Sequence, residues 1–445
     1  MLSREKPVKT GTSKKMLREI FQAALLPVDP YKAVNRHREE IVRAYDLHKC
    51  DRLFLIGFGK AASPMSRAVA DKLPDRLSRG IILTKYGHSL PGNRSARIAV
   101  FAAGHPLPDA NGVKATREVV RLLRLADHQT LIVCLISGGG SALLVSPLRG
   151  ITLAEKQGGT ELLLKAGGDI FELNALRKHL SAVKGGRLAL IASPAPVVSL
   201  ILSDVIGDRL DVIASGPTAP DPSTYREVTE VMAKYGLAAS IPPSVGEIIA
   251  QGARGLLPET PKEGNQVFRN VKNIIIGSNV LASDAAQQAA ERLGYEAEII
   301  STMLSGEAKL VARDLASRAV EVRRSLSPGC KVCLMAGGET TVTVKGGGQG
   351  GRNTELALAF ALEIKDLQGI TLLSAGTDGT DGPTDAAGAL ADGQTVAQAL
   401  SLGLDPRNYL ADNDSYTFFK KIDDLVITGP TGTNVMDLQL ILLEG

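Results

Sequence analysis

Short apolar runs recur along this chain, and several of them end directly in a glycine-rich turn that leads into a helical stretch. Leu53-Phe-Leu-Ile-Gly-Phe-Gly-Lys60 is one case, and residues 131–136 running into Ser137-Gly-Gly-Gly-Ser141 are another. Such alternation predicts an α/β fold in which a mostly parallel sheet carries helices on both faces. Ligands of these sheets bind beyond the carboxyl ends of the strands, so the residues after each run are the first candidates for function.

Apolar runs at residues 53–56, 81–83, 98–101, 131–136 and 197–202 define a first sheet. Prolines, glycines and mixed charges interrupt the pattern over residues 251–270, and it restarts at 274–276, 297–300, 331–336, 341–344, 370–374, 425–427 and 438–442. A chain of 445 residues also exceeds the roughly 250–300 at which single cores stop growing. Two domains are therefore expected: residues 1–255, Rossmann-like, and residues 265–445, a second α/β unit. Ahead of the first strand, Met16, Leu17, Ile20, Phe21 and Ala24 have helical spacing, and a second helix is expected from Pro30 to Leu47.

Forty-six glycines stand against eight tyrosines, nine phenylalanines and no tryptophan in a chain without low-complexity repeats, which assigns the glycines to special turns. The net charge of +4 and the lack of a basic run with interleaved aromatics exclude nucleic acid as a partner. No apolar run reaches the roughly 18 residues of a membrane span, and the start lacks a signal-peptide core, so no membrane partner and a cytoplasmic location are expected. The basic residues 1–15 read as a frayed terminus rather than a presequence remnant. Cys330 and Cys333 form a CxxC without the second pair that zinc would need, and a buried strand there would point the two thiols to opposite faces.

Three loops could hold phosphate. Gly57 and Gly59 open a turn ahead of a helix, whose N-terminus attracts anions, and Lys60 adds a full charge. It is no Walker A loop, because no Ser or Thr follows Lys60. It matches a dinucleotide fingerprint in part, yet the next run ends in Lys85 where a ribose-binding acid belongs, which disfavours NAD. Ser137, Gly138, Gly139, Gly140 and Ser141 form the second loop, able to curl into an anion-binding nest. The third places five glycines among residues 346–351, Gly350 and Gly351 included, before Arg352, Asn353 and a helix. A guanidinium at that point suits bidentate phosphate contacts.

Asp204 and Asp208 follow the apolar run 197–202, and Asp378 and Asp381 follow the run 370–374. Carboxylates at strand ends can hold magnesium or accept the proton of an attacking hydroxyl, and turn or capping roles are the alternative. Helical spacing would set Asn174, Arg177 or Lys178, Ser181 and Lys184 on one face, a stripe suited either to an anionic ligand or to solvent. His105 and Asp109 in Gly104-His-Pro-Leu-Pro-Asp109 are further cleft candidates, the two prolines marking a rigid turn.

Taken in order, Gly57-Phe-Gly-Lys60, Gly104-His-Pro-Leu-Pro-Asp109, Ser137-Gly-Gly-Gly-Ser-Ala142, Asn174 to Gly186, Ser203-Asp-Val-Ile-Gly-Asp208, Ser215-Gly-Pro-Thr218 and Gly338-Glu-Thr-Thr341 resemble the glycerate 2-kinase family. So do Gly350-Gly-Arg-Asn353, Gly376-Thr-Asp-Gly-Thr-Asp-Gly382 and Gly429-Pro-Thr-Gly-Thr-Asn434, and the stretch after Thr341 resembles that family's MOFRL-type C-terminal domain. The resemblance implies transfer of the γ-phosphoryl of ATP to the 2-hydroxyl of D-glycerate, with Mg2+. It implies Lys60 and Arg352 as catalytic cations, one from each domain around an interdomain cleft; Asp204, at its strand end, is expected to orient the hydroxyl or the metal. Asn174, Arg177, Lys178, Lys184 and Asn353 would bind substrate, and Asp208, Asp378 and Asp381 would bind metal. Only small molecules are expected as partners, for a monomer or a homo-oligomer. Some members of the family bear the name hydroxypyruvate reductase, so an NAD(P)H-dependent reductase is the rival reading and a non-catalytic nucleotide sensor the third.

Overall fold

The structure, a computed structural model, describes residues 10–88 and 95–445. Most of the basic start considered above, residues 1–9, lies outside the described residues. The chain forms two compact units, one of Pro30–Ile276 and one that joins the first helix, Thr10–Leu25, to Gly277–Gly445.

In the first unit β1 (Arg52–Phe58), β2 (Leu77–Lys85), β3 (Ile98–Ala103), β4 (Thr130–Ile136), β5 (Val197–Leu202) and β6 (Val271–Gly277) form one sheet in the order 3-2-1-4-5-6. The pairs from β3 through β5 are all parallel. This order is that of a Rossmann-like, doubly wound sheet, with its topological switch point between β1 and β4. Successive side chains alternate between the faces. Leu53, Leu55, Leu131, Val133 and Leu135 pack under the helix Ala62–Lys72, and Phe54, Ile56, Phe58, Ile132 and Cys134 pack under Ala110–Leu123. Central strands covered on both sides read as unbroken apolar runs for this reason. Four further helices, Leu153–Lys165, Ile170–His179, Tyr225–Lys234 and Pro243–Ala253, pack around their own apolar cluster.

The second unit holds β7 (Glu296–Glu307), β8 (Lys331–Thr341), β9 (Ile370–Gly376), β10 (Gly388–Asp392), β11 (Leu425–Val426) and β12 (Asp437–Glu444), in the order 11-10-9-12-8-7. β7, β8, β9 and β11 share one direction, and β10 and β12 run against them. One face of the sheet packs on the helices Ala308–Ser325 and Arg352–Glu363. The other packs on Asn279–Arg292 and on Leu17, Ile20, Phe21 and Ala24 of the first helix. Lys14 of that helix reaches Asp424 at 2.8 Å and Asp392 at 3.2 Å.

These contacts alter the expected division at both ends. The first helix belongs with residues 277–445 because its apolar stripe completes that core. Residues 274–276 do not open the second unit either, since they lie in β6 and extend the first sheet. Three local expectations also change. The helix from Pro30 breaks after Arg36 and resumes at Arg38. The run 341–344 is no separate strand, because β8 itself continues through Gly337 and Gly338 to Thr341. Cys330 is exposed ahead of β8, whereas Cys333 is buried within it and burial pushes its thiol up to about 12. Among the described residues no helix is long and apolar enough to cross a membrane.

Phe21 is 1% exposed between two elements far apart in sequence. Phe21→Ala should lower unfolding free energy by about 3–5 kcal/mol in urea titrations, with faster amide exchange in β9 and β12. A loss below about 1 kcal/mol would mean that the helix is not part of this core.

Candidate functional site

The first two glycine-rich loops meet at the switch point, but their backbones have different duties. In the first, the Gly59 N–H donates to the Leu83 carbonyl at 3.1 Å, the Lys60 N–H to the Gly138 carbonyl at 2.8 Å, and the Ala61 N–H to Ser137 Oγ at 3.1 Å. Its donors are consumed in holding the second loop. Gly59, at a φ of +130°, is so close to Ser137 that a Cβ would overlap it, and a Cβ on Gly57 would lie 2.6 Å from Ile82 Cδ1. These two glycines allow close packing, and what this turn offers a ligand is the Lys60 side chain.

The second loop keeps donors in reserve. Gly140 donates back to Ser137 and Ala142 to Gly139, while the N–H groups of Gly138 and Gly139 have no bond to the described residues. Gly139, at a φ of +83°, faces His105: a Cβ there would stand 2.8 Å from His105 Cδ2 and 3.5 Å from Lys60 Cγ. Burial first, and then the charge of Lys60, pushes the His105 imidazole down to about 4, so it is neutral near pH 7. Asp109, by contrast, is committed to capping, with Gly112 N–H at 2.8 Å and the Tyr86 hydroxyl at 2.6 Å.

Beside Gly139 opens a cavity of about 510 Å3, lined by His105, Ser141, Lys156, Arg177 and Lys184 among others. Lys184 is 1% exposed and donates to the Ser141 carbonyl at 2.7 Å and to Ser141 Oγ at 3.2 Å. Burial, and then the charge of Arg177, brings its pKa down to about 7. Ser141 Oγ lies 3.0 Å from Ser215 Oγ, which donates to Asn174 Oδ1 at 2.8 Å. Among the described residues, the only carboxylate on the cavity wall is Glu161, held 2.6 Å from Lys165.

The polar stripe of residues 174–184 divides differently from a helical projection. Its helix ends at His179, and Lys184 reaches the cavity from the loop beyond. Arg177 and Lys184 face this cavity, whereas Asn174 and Lys178 line another of about 550 Å3 beside Arg209 and Asp211. Lys178 is already neutralised there, 2.6 Å from Asp221 and 3.7 Å from Asp211, and this commitment argues against a direct substrate contact. Lys156 escaped sequence reading. It falls with Gly159 and Leu163 on the buried stripe of its helix, spaced by three and four, and a lysine on such a stripe was the available signal.

The third loop, in the second unit, spends most of its donors on the protein itself. The N–H groups of Lys345 and Gly346 donate to Asn413 Oδ1, Gly347 to Asp412 Oδ1 and Gln349 to Asp414 Oδ1. The N-terminus of the helix after it is capped by Asp381, which accepts from Asn353 N–H at 2.9 Å and from Thr354 N–H at 2.8 Å. A Cβ on Gly351 would collide with Asp381, and one on Gly350 with Ser415. Gly351 N–H donates to Thr354 Oγ1 at 3.0 Å, which leaves packing as its evident role, whereas the Gly350 N–H has no bond to the described residues and stays open to the expected phosphate oxygen. Asn353 is buried against Ser374 and Asp381, which leaves it a structural part rather than a substrate contact.

Arg352 is half-buried in this region. Its guanidinium grips the buried Asp437, Nη2 to Oδ1 at 2.9 Å, and also pairs with Glu339. Burial alone would lower its pKa; bonds and charge from Asp437, then the charge of Glu339, more than offset this and hold it above its ordinary value. Burial lifts Asp381 to about 6 against the bonds it accepts.

Of the expected metal ligands, Asp381 is occupied as a cap and Asp378 closes a turn onto Thr380 at 3.0 Å, while Asp208 sits half-buried after β5. Asp204 is half-buried at the same strand end. Among the described residues no three His, Cys, Asp or Glu side chains converge to hold a metal ion.

Residues 16–250 match a family described as a domain of unknown function, DUF4147, and residues 332–437 match the MOFRL family. The chain is 44% identical to the D-glycerate 2-kinase of Thermotoga maritima over 431 residues, 97% of this chain and 98% of that protein. A crystal structure of glycerate kinase from Thermotoga maritima, 44% identical, aligns with a TM-score of 0.87 over 97% of this chain and 100% of that one. A protein of Agrobacterium vitis with the provisional name hydroxypyruvate reductase is 40% identical over 97% of this chain and 95% of its own.

Because its pKa is lowered, Lys184 is charged below about pH 7 and loses its charge above it. Sulfate, whose own charge is constant in this range, should therefore bind more weakly as pH rises from 6 to 8.5, with a slope of at most about tenfold per pH unit for one linked proton. Isothermal calorimetry reads the slope, and Lys184→Met should flatten it. An affinity independent of pH in the parent protein would contradict the assignment.

Proposed function

The chain belongs to the glycerate 2-kinase family, and from that premise we propose that it transfers the γ-phosphoryl of ATP to D-glycerate, releasing 2-phosphoglycerate and ADP. The observation that carries this reading is likeness to a D-glycerate 2-kinase along 97% of the chain, in a protein whose switch point offers free backbone donors beside unpaired cations. In the transfer, the 2-hydroxyl oxygen bonds to the γ-phosphorus as the bond to the β,γ-bridging oxygen breaks. The hydroxyl proton passes to a base, the role proposed for Asp204.

Such chemistry needs positioning and charge neutralisation rather than a covalent intermediate. The Gly138 and Gly139 N–H groups suit phosphate oxygens, with Ser137, Gly140 and Ser141 shaping their nest. Lys60 and Arg352 are the proposed catalytic cations; Arg352 is held in place by Asp437, which lowers the reorganisation it needs. Arg177 and Lys184 are the proposed contacts to glycerate. Mg2+ is proposed to arrive with the nucleotide, which suits an ion that takes only one or two protein carboxylates and keeps phosphate and water ligands. Asp208 and Asp378 are the residues left to supply them, and the ion would neutralise phosphate charge. The proposed setting is the cytoplasm, with small molecules as the only partners and a monomer or homo-oligomer as the working form.

The Rossmann-like strand order and the Gly57-Phe-Gly59 turn favour a reductase on their face. Against it, the N–H groups of that turn which a dinucleotide pyrophosphate would use are bonded to Leu83, Gly138 and Ser137. β2 also ends in Lys85 rather than an acid.

Purified protein given D-glycerate and ATP should form ADP in a coupled assay. Lys60→Ala and Arg352→Ala should each lower kcat by about 100-fold or more, with KM values changing by less than about threefold. Circular dichroism checks the fold of Arg352→Ala, which leaves Asp437 unpaired. Unchanged turnover in both folded variants would remove these two residues from the mechanism.

A further inference from the structure

The cavity beside Gly139 contains more positive charge than the phosphate nest requires. Lys156 is 5% exposed, and its ammonium makes one bond, to the Arg177 carbonyl at 2.8 Å. Among the described residues, neither Lys156 nor Arg177 nor Lys184 has an ion-pair partner, although all three line the same cavity. Burial first, and then the charges of Lys184, Arg177 and Arg187, press the Lys156 pKa well below its ordinary value. The same unit neutralises a lysine where structure alone is at stake, since Lys178, 2% exposed, stands 2.6 Å from Asp221. A buried ammonium with unused donors and like-charged neighbours costs stability, and an anion is the group that offsets it.

Building on the kinase reading, we infer that Lys156, with Arg177 and Lys184, binds the carboxylate of the hydroxy acid, and that Lys156 makes the site select acids over neutral polyols. Phosphate oxygens already have the free N–H groups of Gly138 and Gly139, whereas the substrate carboxylate has no other cation assigned to it. A guanidinium fork beside two ammonium groups fits a planar carboxylate, and a buried site strengthens each of those bonds. Lys156 contacts substrate on this account and takes no part in bond making.

The test uses the full-length Lys156→Met and Lys156→Arg variants. In Lys156→Met the KM for D-glycerate should rise by about tenfold or more, while the KM for ATP stays within about twofold, and Lys156→Arg should recover part of the loss. Without ligand, Lys156→Met should melt at or above the parent temperature, because a buried amine with unused donors is gone, and the rise in Tm that D-glycerate induces in the parent should vanish. A raised KM for ATP with an unchanged KM for D-glycerate would overturn the inference and assign the cations to nucleotide phosphate. A lowered Tm without ligand and unchanged KM values would overturn it in favour of a structural lysine. Should the parent protein form no ADP from D-glycerate and ATP, the kinase reading fails by itself. The D-glycerate-induced Tm shift then still decides the subsite, which stands if Lys156→Met loses the shift and falls if it keeps it.

Discussion

Three cationic side chains surround one cavity in the first unit and, among the described residues, no carboxylate pairs with them; this imbalance organises the site. Burying a charge costs several kcal/mol unless it finds a partner. The surrounding structure must then hold those cations in place: Lys184 is tied to Ser141, Ser141 to Ser215, and Ser215 to Asn174. Each link belongs to a different segment, so the serines and the asparagine fix the cavity wall while its positive charges remain available.

The two units manage charge in opposite ways. In the second, Asp412, Asn413, Asp414 and Asp381 fill most of the donors of the glycine-rich loop and the start of the following helix, and Asp437 grips Arg352. A loop that spends its donors on the protein itself becomes rigid, which suits a support for one oriented guanidinium. A loop with open N–H groups, such as Gly138 and Gly139, remains suited to a phosphate. Glycine content is the same kind of signal in both cases, and the fate of the backbone donors separates them.

Much of the first unit was legible in the sequence. The runs at residues 53–56, 131–136 and 197–202 became β1, β4 and β5, and the Lys60 and Ser137–Ser141 turns flank the switch point as their positions implied. Helical projection failed for the 174–184 stripe because the helix stops at His179, and it then misassigned Lys178, whose neutralising partner Asp221 is remote in sequence. The third loop hid its partners for a similar reason, since Asp412, Asn413 and Asp414, which take most of its donors, and Asp381, which caps the helix after it, are remote in sequence. The first helix was read correctly as amphipathic, but nothing local says which core its stripe completes. Lys156 was missed because exposed lysines are the rule, although its place on a buried stripe marked it as an exception.

Phosphorus NMR of a reaction of ATP with D-glycerate tests the central claim most directly, because it reads both the transfer and the acceptor oxygen. A phosphomonoester resonance split into a doublet by the single proton on its carbon, growing as ADP appears, is the expected result and identifies 2-phosphoglycerate. A triplet would place the phosphoryl on the terminal hydroxyl, and the absence of any phosphomonoester, with NADH or NADPH consumed on hydroxypyruvate instead, would contradict the account.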